Sequence, residues 1–437
     1  MIFQIFIEKR ITQDASVQLT TYDHLHVNAE RLWRDFIELS QIGETREGGI
    51  ERLALSNEDL KARLWFANKL ESMGLHVYDD EAGNVSGVLS ASNPKAKTFL
   101  IGSHLDGVPD GGRYDNAIGI ICALECARVI YSAGIKLPFH LELINFTDGE
   151  GCWQSLFGSR ALAGKLTDNY MNDTPTDYAP FRAALIRAGI SPAKVKNAER
   201  EKNNIMGYIQ IHIEQGYRLD EAKIPIGIVT DIVGRTTYQM TFFGEAGHSG
   251  TTKIDNRRDA LRGAADFITQ AHLAIHEKYP QGVFNCGNIT VLPGAFNIIP
   301  SEARLTVECR HYDERTLSEM QSFILKLAQD VAIQHQLTVS QKREIHMPAA
   351  TMSPAITDSI KTTCQKMNIP FLEVVSYAGH DAQMIFDIAP TGMIFIPSVG
   401  GISHSPKEYT EWADIVRGAD VLLHTILEIA QTYALKG

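Results

Sequence analysis

Short apolar runs that end in glycine-rich polar loops are the feature that most constrains the fold of this chain. Residues 98–101, 139–146 and 208–213 are such runs, and the apolar helical pattern of residues 116–133 lies between the first two. A further run at residues 393–396 leads into a similar loop. Strands that alternate with helices predict an α/β fold with a mixed, mainly parallel sheet. Such sheets bind ligands beyond the carboxyl ends of their strands.

The middle of the chain follows a different pattern. Residues 235–243 and 303–310 alternate like strands of an open-faced sheet, and residues 257–278 and 318–335 are patterned as amphipathic helices. This block predicts an inserted α/β sandwich with antiparallel strands. A chain of 437 residues is long enough for two domains. We predict an extension at 1–24, the first part of a main domain at 25–232, the insertion at 233–342 and the second part of the main domain at 343–437.

Composition excludes several classes of partner. The formal charge of −11 argues against nucleic acid and anionic membranes. The N-terminus lacks the basic segment and cleavage site of a signal peptide, and no stretch approaches the ~18 apolar residues of a membrane span. The six cysteines form no CxxC pair, and Cys122 and Cys126 lie in an apolar run, which predicts buried thiols in a reducing compartment. We therefore expect a cytoplasmic protein.

Residue types that bind metal ions stand at the glycine-flanked ends of the predicted strands. These residues are His104, Asp115, Glu150, His212 and His404. Three imidazoles and two carboxylates can hold a pair of divalent cations, and such a pair can activate water against an amide bond. Asp115 has two oxygens with which to bridge the cations, and Asp106 is placed to bind the other ring nitrogen of His104. The alternative is a set of unrelated loop caps.

Four motifs give the chain a family resemblance. They are GSHLDGVPDGGRYDN at 102–116, HIEQG at 212–216, GHDA at 379–382 and GGISHSP at 400–406. In order and spacing the sequence resembles the M20 metallopeptidase clan, from about residue 25 to the C-terminus. Within that clan it is similar to the amidase branch, which contains N-carbamoyl-L-amino-acid hydrolases, allantoate amidohydrolases and yeast-type β-ureidopropionase. HIEQG together with GHDA separates this branch from the dipeptidases of the clan.

The resemblance implies a zinc-peptidase-like catalytic domain whose inserted sandwich is a lid and the interface of a homodimer. It implies two divalent metal ions per subunit, Zn²⁺ or Mn²⁺, with Co²⁺ and Ni²⁺ also compatible with these ligands. One metal would be bound by His104, Asp115 and His212, and the other by Asp115, Glu150 and His404. The peptide bond after Asp115 is expected to be cis, as in the family.

The resemblance also implies substrate residues. His248 in the lid would stabilise the oxyanion of the tetrahedral intermediate, often across the dimer interface. Asn297 and Arg310 would bind the carboxylate of a small substrate, for which the planar fork of arginine is suited. The remaining pocket residues are expected to be Gln215, Gly379 and His380. The implied reaction is metal-dependent hydrolysis of a linear amide, such as an N-carbamoyl or N-acyl amino acid or an allantoate-like ureido acid.

One departure from the family pattern concerns the general base. The family has Asp-Glu-Glu-Gly where this chain has Asp148-Gly149-Glu150-Gly151, and the first glutamate is the residue that transfers the proton. Loss of a positioned base costs about 10²–10⁴-fold in rate. The chain is then an engineered inactive form, a natural member with lost or changed activity, or one in which a neighbour such as Asp148 substitutes. The last is weakened because the family carries that aspartate as well.

Two other departures bear on the substrate. Lys253 to Asp255 replace the Pro-Met of relatives, and Asn116 follows Asp115 where this branch has glycine. Two alternative functions remain: a catalytically inactive homologue that binds metal and ligand, and an exopeptidase of the same clan.

Overall fold

The computed structural model describes residues 22–167, 170 and 178–436. Most of the predicted N-terminal extension, residues 1–21, lies outside this part of the chain. The strands are β1 (His76–Asp79), β2 (Val85–Leu89), β3 (Thr98–His104), β4 (His140–Phe146), β5 (Ile205–Ile213), β6 (Ile226–Ile232), β7 (Gly234–Phe243), β8 (Gly247–His248), β9 (Val283–Leu292), β10 (Ile298–Ile299), β11 (Glu302–His311), β12 (Thr338–Met347), β13 (Ala350–Thr351), β14 (Phe371–Ser376) and β15 (Thr391–Ile396).

The helices alternate with these strands as predicted for an α/β protein. They are α1 (Ala29–Ser40), α2 (Asn57–Ser72), α3 (Ala117–Ser132), α4 (Phe157–Leu162), α5 (Tyr178–Arg187), α6 (Arg218–Ala222), α7 (Ala260–Lys278), α8 (Glu314–Gln334), α9 (Pro354–Lys366), α10 (Ala382–Ile385) and α11 (Trp412–Lys436). Within the described ranges, none of them combines the length and apolar character needed to cross a membrane.

A mixed nine-stranded sheet forms the larger layer of the molecule. Its order is β1-β2-β4-β3-β5-β15-β6-β13, and β14 also pairs with β6. The central strands β4, β3, β5 and β15 are parallel to one another, whereas β2 and β1 extend the sheet antiparallel. The predicted mixed α/β sheet is confirmed.

Helix α3 shows how this sheet is covered. It is apolar all round and buried along almost its whole length, because it lies against β3 and β5 on one side and α1 and α11 on the other. Its thiols, Cys122 and Cys126, are free and buried, as predicted. The carboxyl ends of the parallel strands are therefore held by a rigid core.

The middle of the chain forms a separate four-stranded antiparallel sheet. Its order is β12-β7-β11-β9, and α7 and α8 cover one face. Along β11 buried and more exposed residues alternate, so Leu305 and Val307 join the core under the helices while Glu308 and Arg310 lie on the other face. Strand β12 continues to Met347, so the predicted boundary at 342 falls inside a strand. The last residues of β12 are largely polar, so the sequence has no apolar periodicity there from which the end of the strand could be predicted.

Candidate active site

The candidate metal ligands lie at the carboxyl ends of neighbouring parallel strands. His104 is the last residue of β3, His212 lies at the end of β5, and Glu150 follows β4 after a short turn. His404 lies in the loop after β15, which is paired with β5. Because these strands are adjacent, residues far apart in sequence meet at one edge of the sheet.

Asp115, Glu150 and His404 form a compact group whose ligand atoms lie within 4.8 Å of one another. The Nε2 atom of His404 is 3.1 Å from Asp115 Oδ2 and 3.8 Å from Glu150 Oε2. On the other side, His212 Nε2 is 3.1 Å from Asp115 Oδ1. Imidazole nitrogens and carboxylate oxygens around one carboxylate are a donor set that fits a divalent transition metal.

The Asn116 side chain lies among these residues. Its Oδ1 is 2.8 Å from His212 Nε2, and its Nδ2 donates to Asp115 Oδ1 and Glu150 Oε1, both at 3.0 Å. The expected cis peptide after Asp115 is not found, since the cis bond in the described residues is Leu292–Pro293. The backbone turns instead through a φ of 56° at Asn116.

His104 and Gly149 are in direct contact. A Cβ atom at position 149 would overlap the His104 imidazole, so the ring fills the space in which a longer side chain would begin. The described polar contacts of His104 are with Asp106: its Nδ1 is 3.1 Å from the carbonyl oxygen and 3.2 Å from Oδ1. Asp106 also accepts hydrogen bonds from the backbone of Gly149 and Glu150. The structure thus places the His104 ring beside Gly149, with its Nδ1 held by Asp106.

Glu408 is a site residue that the sequence analysis missed. Its Oε1 accepts hydrogen bonds from the backbone of Tyr114 and Asp115, and its Oε2 accepts from Ser403 Oγ and from the backbone of His404. A Cβ atom at Gly112 would overlap its carboxyl group. Its position four residues after His404, at the end of SHSPKE, was the available signal.

Burial and mutual charge shift the acid–base properties of the group. Burial and the charge of Asp115 raise the pKa of Glu150 to about 8. The hydrogen bond to Asp115 raises the pKa of His404 to about 9. Burial opposes ionisation of Asp115, but its bonds to His212 and His404 hold its pKa well below the usual value. Burial also raises the pKa of Asp148, to about 8. A bound cation would favour the deprotonated forms.

A cavity of about 660 Å³ opens beside the group and is lined by Gln215, Arg310, Tyr377 and His404 among others. The Gln215 amide nitrogen lies 3.1 Å from Asp115 Oδ2 and 3.2 Å from Ser403 Oγ. Arg310 reaches the cavity from β11, and its Nη1 donates to the carbonyl oxygen of Tyr377 at 2.6 Å. We call this space the cleft.

The other predicted substrate residues lie off the cleft wall. His380 is buried with its ring 4.5 Å from that of His212, and its Nε2 is 2.9 Å from Ser376 Oγ. Gly379 precedes it in the loop after β14. His248 is exposed on the β8–β10 ribbon, and Ser249 next to it donates to the carbonyl of Asn297 at 3.0 Å. Neither His248 nor Asn297 is among the described residues that line the cleft.

An α/β sheet that carries a carboxylate–imidazole group at its strand ends, beside a lidded cleft, defines a class of metal-dependent hydrolases. Residues 100–428 match the sequence model of peptidase family M20/M25/M40, and the chain belongs to that family. Its similarity to amidohydrolases identifies the chain as an amidohydrolase, a hydrolase of non-peptide C–N bonds.

Three of these relatives cover almost the whole chain. An N-carbamoyl-L-amino acid amidohydrolase of Geobacillus stearothermophilus is 32% identical over 409 residues, covering 93% of this chain and 99% of the relative. The allantoate amidohydrolase of Bacillus subtilis is 30% identical over 404 residues, covering 91% and 97%. The crystal structure of a hydantoinase/carbamoylase family amidase from Burkholderia multivorans is similar with a TM-score of 0.83 and 30% identity, covering 93% of this chain and 99% of that one.

Proposed function

We propose that the chain hydrolyses the linear amide of a small carboxylate, namely an N-carbamoyl or N-acyl amino acid or an allantoate-like ureido acid. The observation that carries this proposal is the position of Arg310 in the same cleft as Gln215 and His404. A guanidinium group binds a substrate carboxylate, and this places the amide of a short substrate beside the Asp115 group. Substrate names of the relatives support the same class.

The metal requirement rests on the donor set. One divalent cation, Zn²⁺ or Mn²⁺, would be held by Asp115, Glu150 and His404. A second would be held by His104, Asp115 and His212. When bound, they supply Lewis-acid activation of the carbonyl and of water. The first trio is assembled in the structure. The second requires the Asn116 amide oxygen, 2.8 Å from His212 Nε2, to move away from that nitrogen.

The chain's own residues can bind the substrate, but none is placed at position 149 to transfer the proton. Gln215 and Arg310 orient the substrate in the cleft, and Asp106 holds the His104 ring through Nδ1. Gly149 has no side chain that can carry a proton from water to the leaving nitrogen. We therefore propose that hydrolysis is slow in this chain.

We also propose a cytoplasmic homodimer, formed through the sandwich at 233–342 acting as a lid. His248 and Asn297 are exposed and near each other, and they would complete the cleft of a second copy. Edge strand β9 supports this, since Val283, Ile289 and Leu292 are exposed on it. Size-exclusion chromatography with light scattering is expected to give twice the mass of the chain. The mass of a monomer would contradict the proposed dimer.

The deciding experiment compares the metal-loaded protein with Gly149→Glu on a panel of ureido acids, N-acyl amino acids and dipeptides. The variant is expected to be about 10²–10⁴-fold faster on an N-carbamoyl or N-acyl amino acid. Because a side chain at position 149 would overlap the His104 ring, the gain is expected only if that ring moves aside. Gln365→Glu, which adds the same charge on the exposed face of α9, is the control.

The other outcomes have distinct meanings. Equal turnover by both proteins would show that another group transfers the proton. Stoichiometric binding without turnover by either protein would favour the alternative of an inactive, ligand-binding homologue. Cleavage confined to dipeptides would favour the exopeptidase.

A further inference from the structure

Arg218 is a second guanidinium group in the cleft, and the catalytic proposal gives it no role. It follows HIEQG by two residues and lines the cleft together with Gln215, Arg310 and His404. Its side chain is exposed, and its Cζ lies 5.5 Å from the centroid of the Tyr377 ring. Among the described residues, no carboxylate forms an ion pair with it. Arg218 therefore presents to the cleft a guanidinium group that forms no described ion pair.

Tyr377 brings the two cleft arginines together. Arg218 lies over its ring, while Arg310 donates to its carbonyl oxygen at 2.6 Å. The hydroxyl of Tyr377 donates to the carbonyl of Gln281 at 3.1 Å, which fixes the tyrosine between the two sheets. Both guanidinium groups therefore contact one anchored residue, Arg218 at its ring and Arg310 at its backbone carbonyl.

The nearby carboxylates are engaged elsewhere. Glu308 accepts from Arg310 Nε at 2.6 Å. Glu214 accepts from the backbone N–H groups of Arg218 and Leu219, at 3.1 and 2.9 Å. Its carboxylate is near enough for the Arg218 charge to act on it, but the described hydrogen bonds go to backbone and not to the Arg218 side chain. The cleft lining thus includes two guanidinium groups and the Glu214 carboxylate. Among the described contacts the Arg218 guanidinium donates to no carboxylate, so its N–H groups can donate to a carboxylate of a ligand.

We propose that Arg218 binds a second carboxylate of the substrate, so that the preferred substrate is a ureido dicarboxylate. This inference rests on the proposed function and names its substrate class: an N-carbamoyl amino acid whose side chain ends in a carboxylate. The α-carboxylate binds at Arg310 and the side-chain carboxylate at Arg218. A bidentate, charge-assisted hydrogen bond between Arg218 and the side-chain carboxylate is strong enough to discriminate between an acid and its amide.

The test is calorimetric binding of two matched pairs to the metal-loaded chain: N-carbamoyl-L-aspartate with N-carbamoyl-L-asparagine, and N-carbamoyl-L-glutamate with N-carbamoyl-L-glutamine. The members of each pair differ by the charge of one group. The acid of at least one pair is expected to bind about tenfold or more tightly than its amide. Arg218→Gln is expected to remove this preference and leave the affinity for the amide unchanged. Slow turnover does not impair the readout.

Controls separate the ways in which the inference can fail. Arg315→Gln removes an exposed arginine outside the cleft and should keep the preference for the acid. Equal binding of acid and amide by the unaltered chain, or an unchanged preference in Arg218→Gln, overturns the subsite and leaves the proposed function standing. An equal loss of both affinities in Arg218→Gln also overturns it, since that marks a structural role. Binding of no ureido acid at all overturns both proposals.

Discussion

At the scale of single residues, the His104 ring fills the space next to Gly149 that a larger side chain would need. The imidazole lies where a Cβ atom at position 149 would be. A glutamate placed there has to displace the ring. The side chain at position 149 and the position of the His104 ring are therefore coupled, and one cannot change without the other.

Glu408 is the residue whose removal should loosen the site most selectively. It joins the Asp115 loop to the His404 loop through four hydrogen bonds, two to each carboxylate oxygen. Glu408→Gln replaces one oxygen by an N–H donor that faces donors. We expect metal affinity to fall about 10–100-fold, as for other residues that orient metal ligands. Competition with a chromophoric chelator measures the change.

The matched control is Glu411→Gln, which removes an exposed carboxylate whose described side-chain partner is the hydroxyl of Tyr409. Its metal affinity should equal that of the unaltered chain. If Glu408→Gln behaves like this control, Glu408 does not position the ligands.

At the scale of elements, one side chain joins both connections between the two sheets. The chain enters the four-stranded sheet after Val233 and leaves it at Pro348, and the buried Gln383 amide donates to both carbonyl oxygens, at 3.1 and 2.8 Å. The GHDA loop and helix α10 thereby hold the lid connections next to the cleft.

Gln383→Ala is expected to destabilise the protein. It leaves the carbonyl groups of Val233 and Pro348 without their donor, which costs about 1–3 kcal/mol in the free energy of unfolding. Urea denaturation followed by circular dichroism measures this. Gln365→Ala, on the exposed face of α9, should change the free energy little, and an equal effect of the two variants would refute the role of Gln383.

The elements that the sequence predicted carry a clear apolar pattern, which alternates in β7 and β11, is amphipathic in α7 and α8, and is continuous in the core elements. Strands β3, β4, β5 and β15 and helix α3 lie in the core, so burial shaped their sequences. The candidate metal ligands could then be predicted from their positions at the ends of these strands. The end of β12 and the exposed strand β9 were not predictable, because edge strands with polar residues resemble loops. The contact of His104 with Gly149 was equally hidden, since it depends on the rotation of one ring.

At the scale of the whole molecule, metal binding is linked to pH. Glu150 and His404 have pKa values of about 8 and about 9, so both hold a proton at pH 7 in the metal-free protein. The lowered pKa of Asp115 means that it holds none. A metal ligand must be deprotonated, so binding of one cation by Asp115, Glu150 and His404 at pH 7 is expected to release about two protons.

Metal affinity should therefore rise with pH. It should increase about 100-fold per pH unit up to about pH 8, and about tenfold per unit from there to about pH 9. Calorimetry in two buffers of different ionisation enthalpy counts the protons, and Glu150→Gln should release one fewer. A metal affinity that does not change between pH 6 and pH 8 would contradict this linkage.

Gly112 and Glu408 have a consequence for the evolution of the family. Because the Glu408 carboxyl occupies the volume of any side chain at position 112, neither position can change alone without loss of the bonds that join the two loops. Related sequences should therefore show the two positions substituted together, although 296 positions separate them in the chain, the difference between 408 and 112. A lineage that abandoned the glutamate would be free to abandon the glycine.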